Sequence, residues 1–240
     1  MKHLGIIAAL PDEAACLAAQ PLKVNQPVTF APGISLCLSG MGYNNALNAA
    51  ATLIKHGAEA LVSWGVAGGI NEELHSGDLL IASKVITSDT EFQCQSQWQE
   101  QLLVELTSTT FRVFNSSLYS DDKICATRRD KRRLFDKSGA DAVDMESAAI
   151  AGLAQQMDLD FIVIRAIADE AVTTIPPAVT RHTDMLGRPK PIRFAFSCLL
   201  RPSQISSLLI LGRAYKKALT TLQTVTPDLK SRHFLYNTPA

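Results

Sequence analysis

Asp144, Met145, Glu146 and Ser147 head a run of small residues, 148–155, that reads as a helix, and the apolar run 161–167 after it leads to Asp169. An ionised glutamate is acceptor-only and takes bidentate donors, so Glu146 beside a helix start can hold two vicinal hydroxyls, as a ribose presents them. Asp169 falls just beyond a buried apolar strand, at the carboxyl edge of a sheet. There α/β proteins bind ligands, and desolvation can raise a carboxyl pKa far enough for proton donation at neutral pH. The two carboxylates thus stand where a sugar and a leaving group could both be held. The competing reading is structural: Glu146 and Asp169 each cap a helix. Met145, read alone, is an ordinary helix-start core methionine.

The elements that must position these groups follow from the same periodicities. Residues 4–9 predict a buried strand, and Pro11 suits the first turn of a helix reaching residue 19. A second strand over 34–39 runs through Gly40, Met41 and Gly42 into an alanine-rich helix over 43–56, which Gly57 ends before a strand over 60–64. After that strand come Gly65, Val66, Ala67, Gly68 and Gly69. Glycine has no Cβ, so this run can bring backbone N–H groups close to an anion or a ribose oxygen. Strands are expected over 79–85 and 112–118, whereas 92–105 is polar and hard to read. The charged stretch 127–137 reads as a helix with a solvated face, and 173–191, with four prolines, as a long loop. A last helix is expected over 205–222. The continuous alternation of apolar strands and helices favours a single α/β domain over 1–224, with a flexible tail over 225–240.

Composition excludes more than it assigns. Lys plus Arg number 23 and Asp plus Glu 23 in 240 residues, so no overall field attracts nucleic acid, and specificity must be local. The five cysteines are scattered without C-x-x-C spacing, and the five histidines show no metal-ligand spacing; reduced thiols and no metal are expected. The apolar start 4–10 is cut by Pro11, too short for a secretory signal, which leads to the expectation of a cytoplasmic protein. Arg165 lies inside an apolar strand, where an unpaired charge is costly, so it should pair with Asp144 or another acid.

Five motifs in order carry a resemblance: Gly5-Ile6-Ile7-Ala8-Ala9 with Glu13; Ser39-Gly40-Met41-Gly42; Gly65-Val66-Ala67-Gly68-Gly69 with Gly77-Asp78; Val143-Asp144-Met145-Glu146; and Arg165-Ala166-Ile167-Ala168-Asp169. The chain resembles the purine nucleoside phosphorylase and methylthioadenosine/adenosylhomocysteine nucleosidase superfamily. Within it, Val62-Ser63-Trp64, Ile175-Pro176-Pro177-Ala178 and Leu199-Leu200-Arg201-Pro202-Ser203-Gln204 look most like the hopanoid-associated phosphorylases, also described as adenosylhopane nucleosidases. The resemblance implies a nucleoside phosphorylase-like fold, a three-layer α/β/α sandwich around a central twisted mixed β-sheet. It implies that Asp169 protonates the purine N7, that Glu146 holds the 2′ and 3′ hydroxyls with Met145 beneath the sugar, and that Glu13 orients and deprotonates the attacking water. Without the resemblance Glu13 is a first-turn acid complementing a helix dipole.

The chain also departs from the family. Val66 stands where many relatives carry Ser or Thr, no arginine lies within 8–13 where phosphorylases place one, and Lys123 stands where an aromatic stacks on the base. Water is therefore favoured over phosphate as nucleophile, with phosphate as the alternative co-substrate. The backbone of Ile124 would read adenine, or Asp121 or Asp122 would accept from its amino group. The implied reaction is N-glycosidic cleavage of a 5′-substituted adenosine, adenosylhopane first, in hopanoid biosynthesis; methylthioadenosine or adenosylhomocysteine cleavage, purine phosphorolysis and a silent nucleoside-binding module are the alternatives. A lipid-linked nucleoside would bring peripheral contact with the inner membrane, and the resemblance implies a homodimer or larger homo-oligomer. The apolar residues of 175–177, 194–200 and 205–211 are candidates for the lipid end.

Overall fold

Alternation along the first strand sets the layering. In β1 (Leu4–Ala8) all five residues are buried; Leu4, Ile6 and Ala8 enter one hydrophobic cluster and Ile7 another. A strand covered on both faces belongs inside a sheet with helices on either side, because successive side chains point to opposite faces. The computed structural model of the chain describes residues 3–188 and 204–230. After β1 come α1 (Pro11–Ala15), β2 (Val28–Ala31), β3 (Ile34–Leu38), α2 (Tyr43–Lys55) and β4 (Ala60–Gly69). The chain continues through β5 (Leu79–Ile86), β6 (Glu91–Gln93), α3 (Ser96–Glu105), β7 (Val113–Ser120) and α4 (Arg128–Ser138). It ends with β8 (Ala142–Asp144), α5 (Ser147–Gln156), β9 (Asp160–Asp169), α6 (Pro177–His182) and α7 (Gln204–Lys230).

The strands form one mixed sheet between two helical layers, the expected three-layer α/β/α sandwich. Residues of α1, α3 and α7 share the cluster that holds Ile6, and those of α2 and α5 share the one that holds Ile7. On one side β3, β1, β4 and β9 are joined by parallel pairings, with β2 antiparallel at the edge. The far end of β4 turns to pair with β8, β8 pairs with β7, β7 with β5, and β5 with β9, which returns to β4. Part of the sheet thus closes on itself as a ring.

Several elements differ from the sequence expectation, among them β2, β8 and α6, none of which was expected. The strand expected over 60–64 continues to Gly69, so the glycine-rich run is strand rather than a loop beyond one. α1 stops at Ala15, short of the expected 19, with Cys16 and Leu17 continuing only as a turn. The polar stretch 92–105 holds a short strand and α3, whose Trp98, Leu102 and following Leu106 recur at helical spacing and are buried. α7 runs to Lys230 rather than 222: Val225 and Thr226 are buried, and the Thr226 hydroxyl donates to the Cys16 carbonyl at 2.9 Å. The start of the expected tail is therefore helical, and 231–240 lie outside the described residues, as do 194–200. No helix among the described residues is long and apolar enough to cross a membrane.

Candidate active site

Because β1, β4 and β9 are parallel neighbours, their carboxyl ends open on the same side of the sheet. A pocket lies there, lined by Glu13, Val66, Ala67, Gly68, Ile124, Met145, Glu146 and Asp169, all eight residues singled out from the sequence. Met41, Lys123, Cys125 and Ile175 complete much of the wall. Ile175 is the contribution of the proline-rich loop, whereas α7 does not line the pocket; its Ile205, Leu209 and Ile210 are exposed instead.

Glu13 is buried and held from three directions. Its Oε2 accepts from the backbone N–H groups of Ala9 (3.0 Å) and Leu10 (2.8 Å), and its Oε1 from that of Val66 (2.9 Å). Burial raises its pKa, against the pull of the Arg165 charge and these three donors. The N–H of Val66 is thus bonded to Glu13, and its side chain forms part of the pocket wall. Gly65 explains the closeness of the groups. A Cβ there would lie 2.5 Å from both Glu13 Oε1 and Arg165 Nη1, so only glycine lets the carboxylate and the guanidinium approach this backbone.

Arg165 is the cation beneath the site. It is 1% exposed and pairs with Asp144 at 2.6 Å, as expected, with Glu146 3.9 Å away and the Ser63 hydroxyl at 2.7 Å. Asp144 also accepts from the backbone N–H of Ser147, so it, not Glu146, caps α5. Glu146 occupies the cap position without capping. Its Oε1 instead accepts from the Gly42 N–H at 2.7 Å, across to the turn before α2. Burial, reinforced by the Asp144 charge, lifts its pKa to about 7 against the opposing Arg165 charge and Gly42 hydrogen bond. Met145 is half-buried and Ile124 is exposed at the rim.

Asp169 ends β9 and caps no helix, since the next one, α6, begins only at Pro177. Its Oδ2 accepts from the Lys131 ammonium, which also donates to the Glu170 carbonyl at 2.7 Å. Burial raises the Asp169 pKa, and Lys131 works against that. Lys131 is fully buried, so α4 is not simply a solvated face. A signal for it existed: Lys131 stands three and four residues before Leu134 and Phe135, the apolar residues through which α4 packs, and so shares their stripe.

Comparison with known proteins places this geometry. A family model, the phosphorylase superfamily, matches residues 3–186. The 5′-methylthioadenosine/S-adenosylhomocysteine nucleosidase of Shewanella sediminis is 29% identical over 203 residues, 72% of this chain and 88% of the relative. The aminodeoxyfutalosine nucleosidase of Campylobacter jejuni is 28% identical over 146 residues, 53% of this chain and 63% of the relative. The fold matches the crystal structure of the Neisseria meningitidis 5′-methylthioadenosine/S-adenosylhomocysteine nucleosidase with methylthio-immucillin-A. That match has a TM-score of 0.68 and 22% identity, over 96% of this chain and 99% of that one. The chain belongs to the phosphorylase superfamily and is an enzyme of that family of phosphorylases and nucleosidases.

Proposed function

We propose that the chain hydrolyses the N-glycosidic bond of a 5′-substituted adenosine and releases adenine. The observation that carries the reading is the convergence of Glu13, Glu146 and Asp169 on one pocket, an acid set for which a silent binding module has no use. As the C1′–N9 bond breaks, its electron pair enters the purine, and Asp169 passes its proton to N7. The charge of Glu146 favours the cationic ribose while its oxygens accept the 2′ and 3′ hydroxyls. Met145 lies under the sugar, and Ala67, Gly68 and the Ile124 backbone border the base. Three backbone donors occupy most of the acceptor capacity of Glu13, and one remaining lone pair takes the O–H of the water that attacks C1′. The proton lost by the water goes to Glu13.

Water is favoured over phosphate because the segment 8–13 has no arginine, Val66 offers no hydroxyl and its N–H is already committed. For the 5′ group we propose a greasy substituent, adenosylhopane, on the resemblance of the motifs and on the apolar wall of Leu10, Met41 and Ile175. The thioether nucleosides are the second reading, favoured by the names of the relatives and by the lack of any residue of α7 in the pocket wall. Adenine release from adenosylhopane and methylthioadenosine, each with and without phosphate, tests all three points. The expected result is faster release from adenosylhopane, with free ribosyl product at every phosphate concentration. Turnover of methylthioadenosine alone moves the substrate to the thioethers; a ribosyl 1-phosphate product with saturation in phosphate overturns hydrolysis.

A further inference from the structure

A lysine with no solvent exposure is costly to bury unless its charge is matched, and Lys131 meets two acceptors, the Asp169 carboxylate and the Glu170 carbonyl. Both lie at the end of β9, whereas Lys131 comes from α4, the helix that follows the pocket-lining loop of Lys123, Ile124 and Cys125. No other hydrogen bond involves either Asp169 side-chain oxygen among the described residues, so Oδ2 is taken by the ammonium and Oδ1 is left without one, while the carboxyl as a whole lies against Gly68, itself a wall residue. The other titratable groups near this carboxylate are few. Cys125 is a neutral thiol, pushed up to about 11 by burial, and the Glu170 side chain turns away to accept from the Ser76 N–H and to face His75 at 3.8 Å.

We propose that Lys131 is a positioning residue that sets the acid strength of Asp169, holding Oδ2 so that Oδ1 faces the purine and stabilising the carboxylate left when the proton departs. The proposal rests on the reading of Asp169 as the acid. In the step itself the Asp169 O–H bond breaks, the N7–H bond forms and the C1′–N9 pair moves into the purine. Asp169 regains a proton from solvent after adenine leaves. The sign of the effect follows. An adjacent ammonium favours the ionised carboxylate, so without it Asp169 holds its proton more tightly, ionises at higher pH and delivers the proton less readily.

The test is the pH profile of kcat and kcat/KM for adenine release by Lys131→Met, Lys131→Gln and Lys131→Arg, with Asp169→Asn as reference. Met is close to lysine in volume, and the carboxyl it leaves unpaired can stay protonated, so this variant should fold; Gln removes the charge while retaining a donor for the Glu170 carbonyl. For both, the basic limb of kcat/KM should move up by about one pH unit or more, with kcat lowered by roughly tenfold. Arg should keep the limb near that of the parent protein. In an Asp169→Asn background Lys131→Met should add little further loss, because it acts through the missing carboxyl. A lysine that only anchors α4 to β9 would scale activity with the folded fraction and leave the limb where it was. An unmoved limb in folded Lys131→Met or Lys131→Gln overturns the proposal, and full turnover by Asp169→Asn overturns instead the reading of Asp169 as the acid.

Discussion

Glu146 and Asp169 do different work, and their neighbours make the difference. Asp169→Asn should lower kcat by about two to four orders of magnitude with substrate binding retained, the range for a lost general acid. It also strands the Lys131 ammonium, so unfolding should come earlier by about 3–5 kcal/mol, and turnover has to be referred to folded protein by circular dichroism. For Glu146 the pKa near 7 has two consequences of known sign. Accepting two hydroxyls requires the ionised form, so kcat/KM should rise with pH through about 7, and Glu146→Gln should lose that limb as well as rate; a limb persisting in the Gln variant would assign it elsewhere. A carboxyl that holds its proton more tightly folded than unfolded contributes stability in full below its ordinary pKa of 4.5, and that contribution fades as pH rises through about 7. Denaturation midpoints of Glu146→Gln should therefore lose this slope between those values.

At the scale of elements, the buried ends of β4 and β9 are built around charges rather than around apolar contacts alone. Asp144→Ala removes both the main partner of Arg165 and the cap of α5, and should cost about 3–5 kcal/mol in urea unfolding. Gly65→Ala forces a Cβ against two groups that are themselves held fast, Glu13 by three backbone donors and Arg165 by Asp144. A loss of about 1–3 kcal/mol is expected, together with activity, since Glu13 must shift; unchanged turnover in Gly65→Ala would separate Glu13 from the reaction. The six longer strands were legible in the sequence because they are apolar runs, whereas the short β2, β6 and β8 were not; the Arg165–Asp144 pair was legible because a lone charge in such a run demands a partner. α3 was not, since Trp98, Leu102 and Leu106 are diluted by glutamines. The burial of Lys131 was obscured by the arginines and lysines around it, which carry the same charge but sit on the other faces of α4.

Over the whole molecule, the layered α/β/α order follows from alternating elements, but the closing of the sheet does not, because it depends on β9 finding both β4 and β5 across long stretches of chain. α7 then ties this body together from the far end: Val225 fills the cluster shared with β1, and Thr226 bonds to Cys16, just after the helix that carries Glu13. A chain ending at 224 should lose about 2–3 kcal/mol by thermal unfolding, and with it some order at Glu13; a melting temperature equal to that of the full chain would contradict this support. The closed ring of strands also dictates an order of events in time. β4 is made early, but its partner β9 is the last strand, so the contacts between them carry a high loop-closure entropy and form slowly. On a ribosome, a chain that has emerged only as far as α5 already possesses Glu13, Glu146 and the glycine-rich strand, and still has no pocket. Ligand binding is then a reporter of completed folding: in refolding experiments, affinity for a nucleoside analogue should appear only with the slowest phase, after helical signal has recovered.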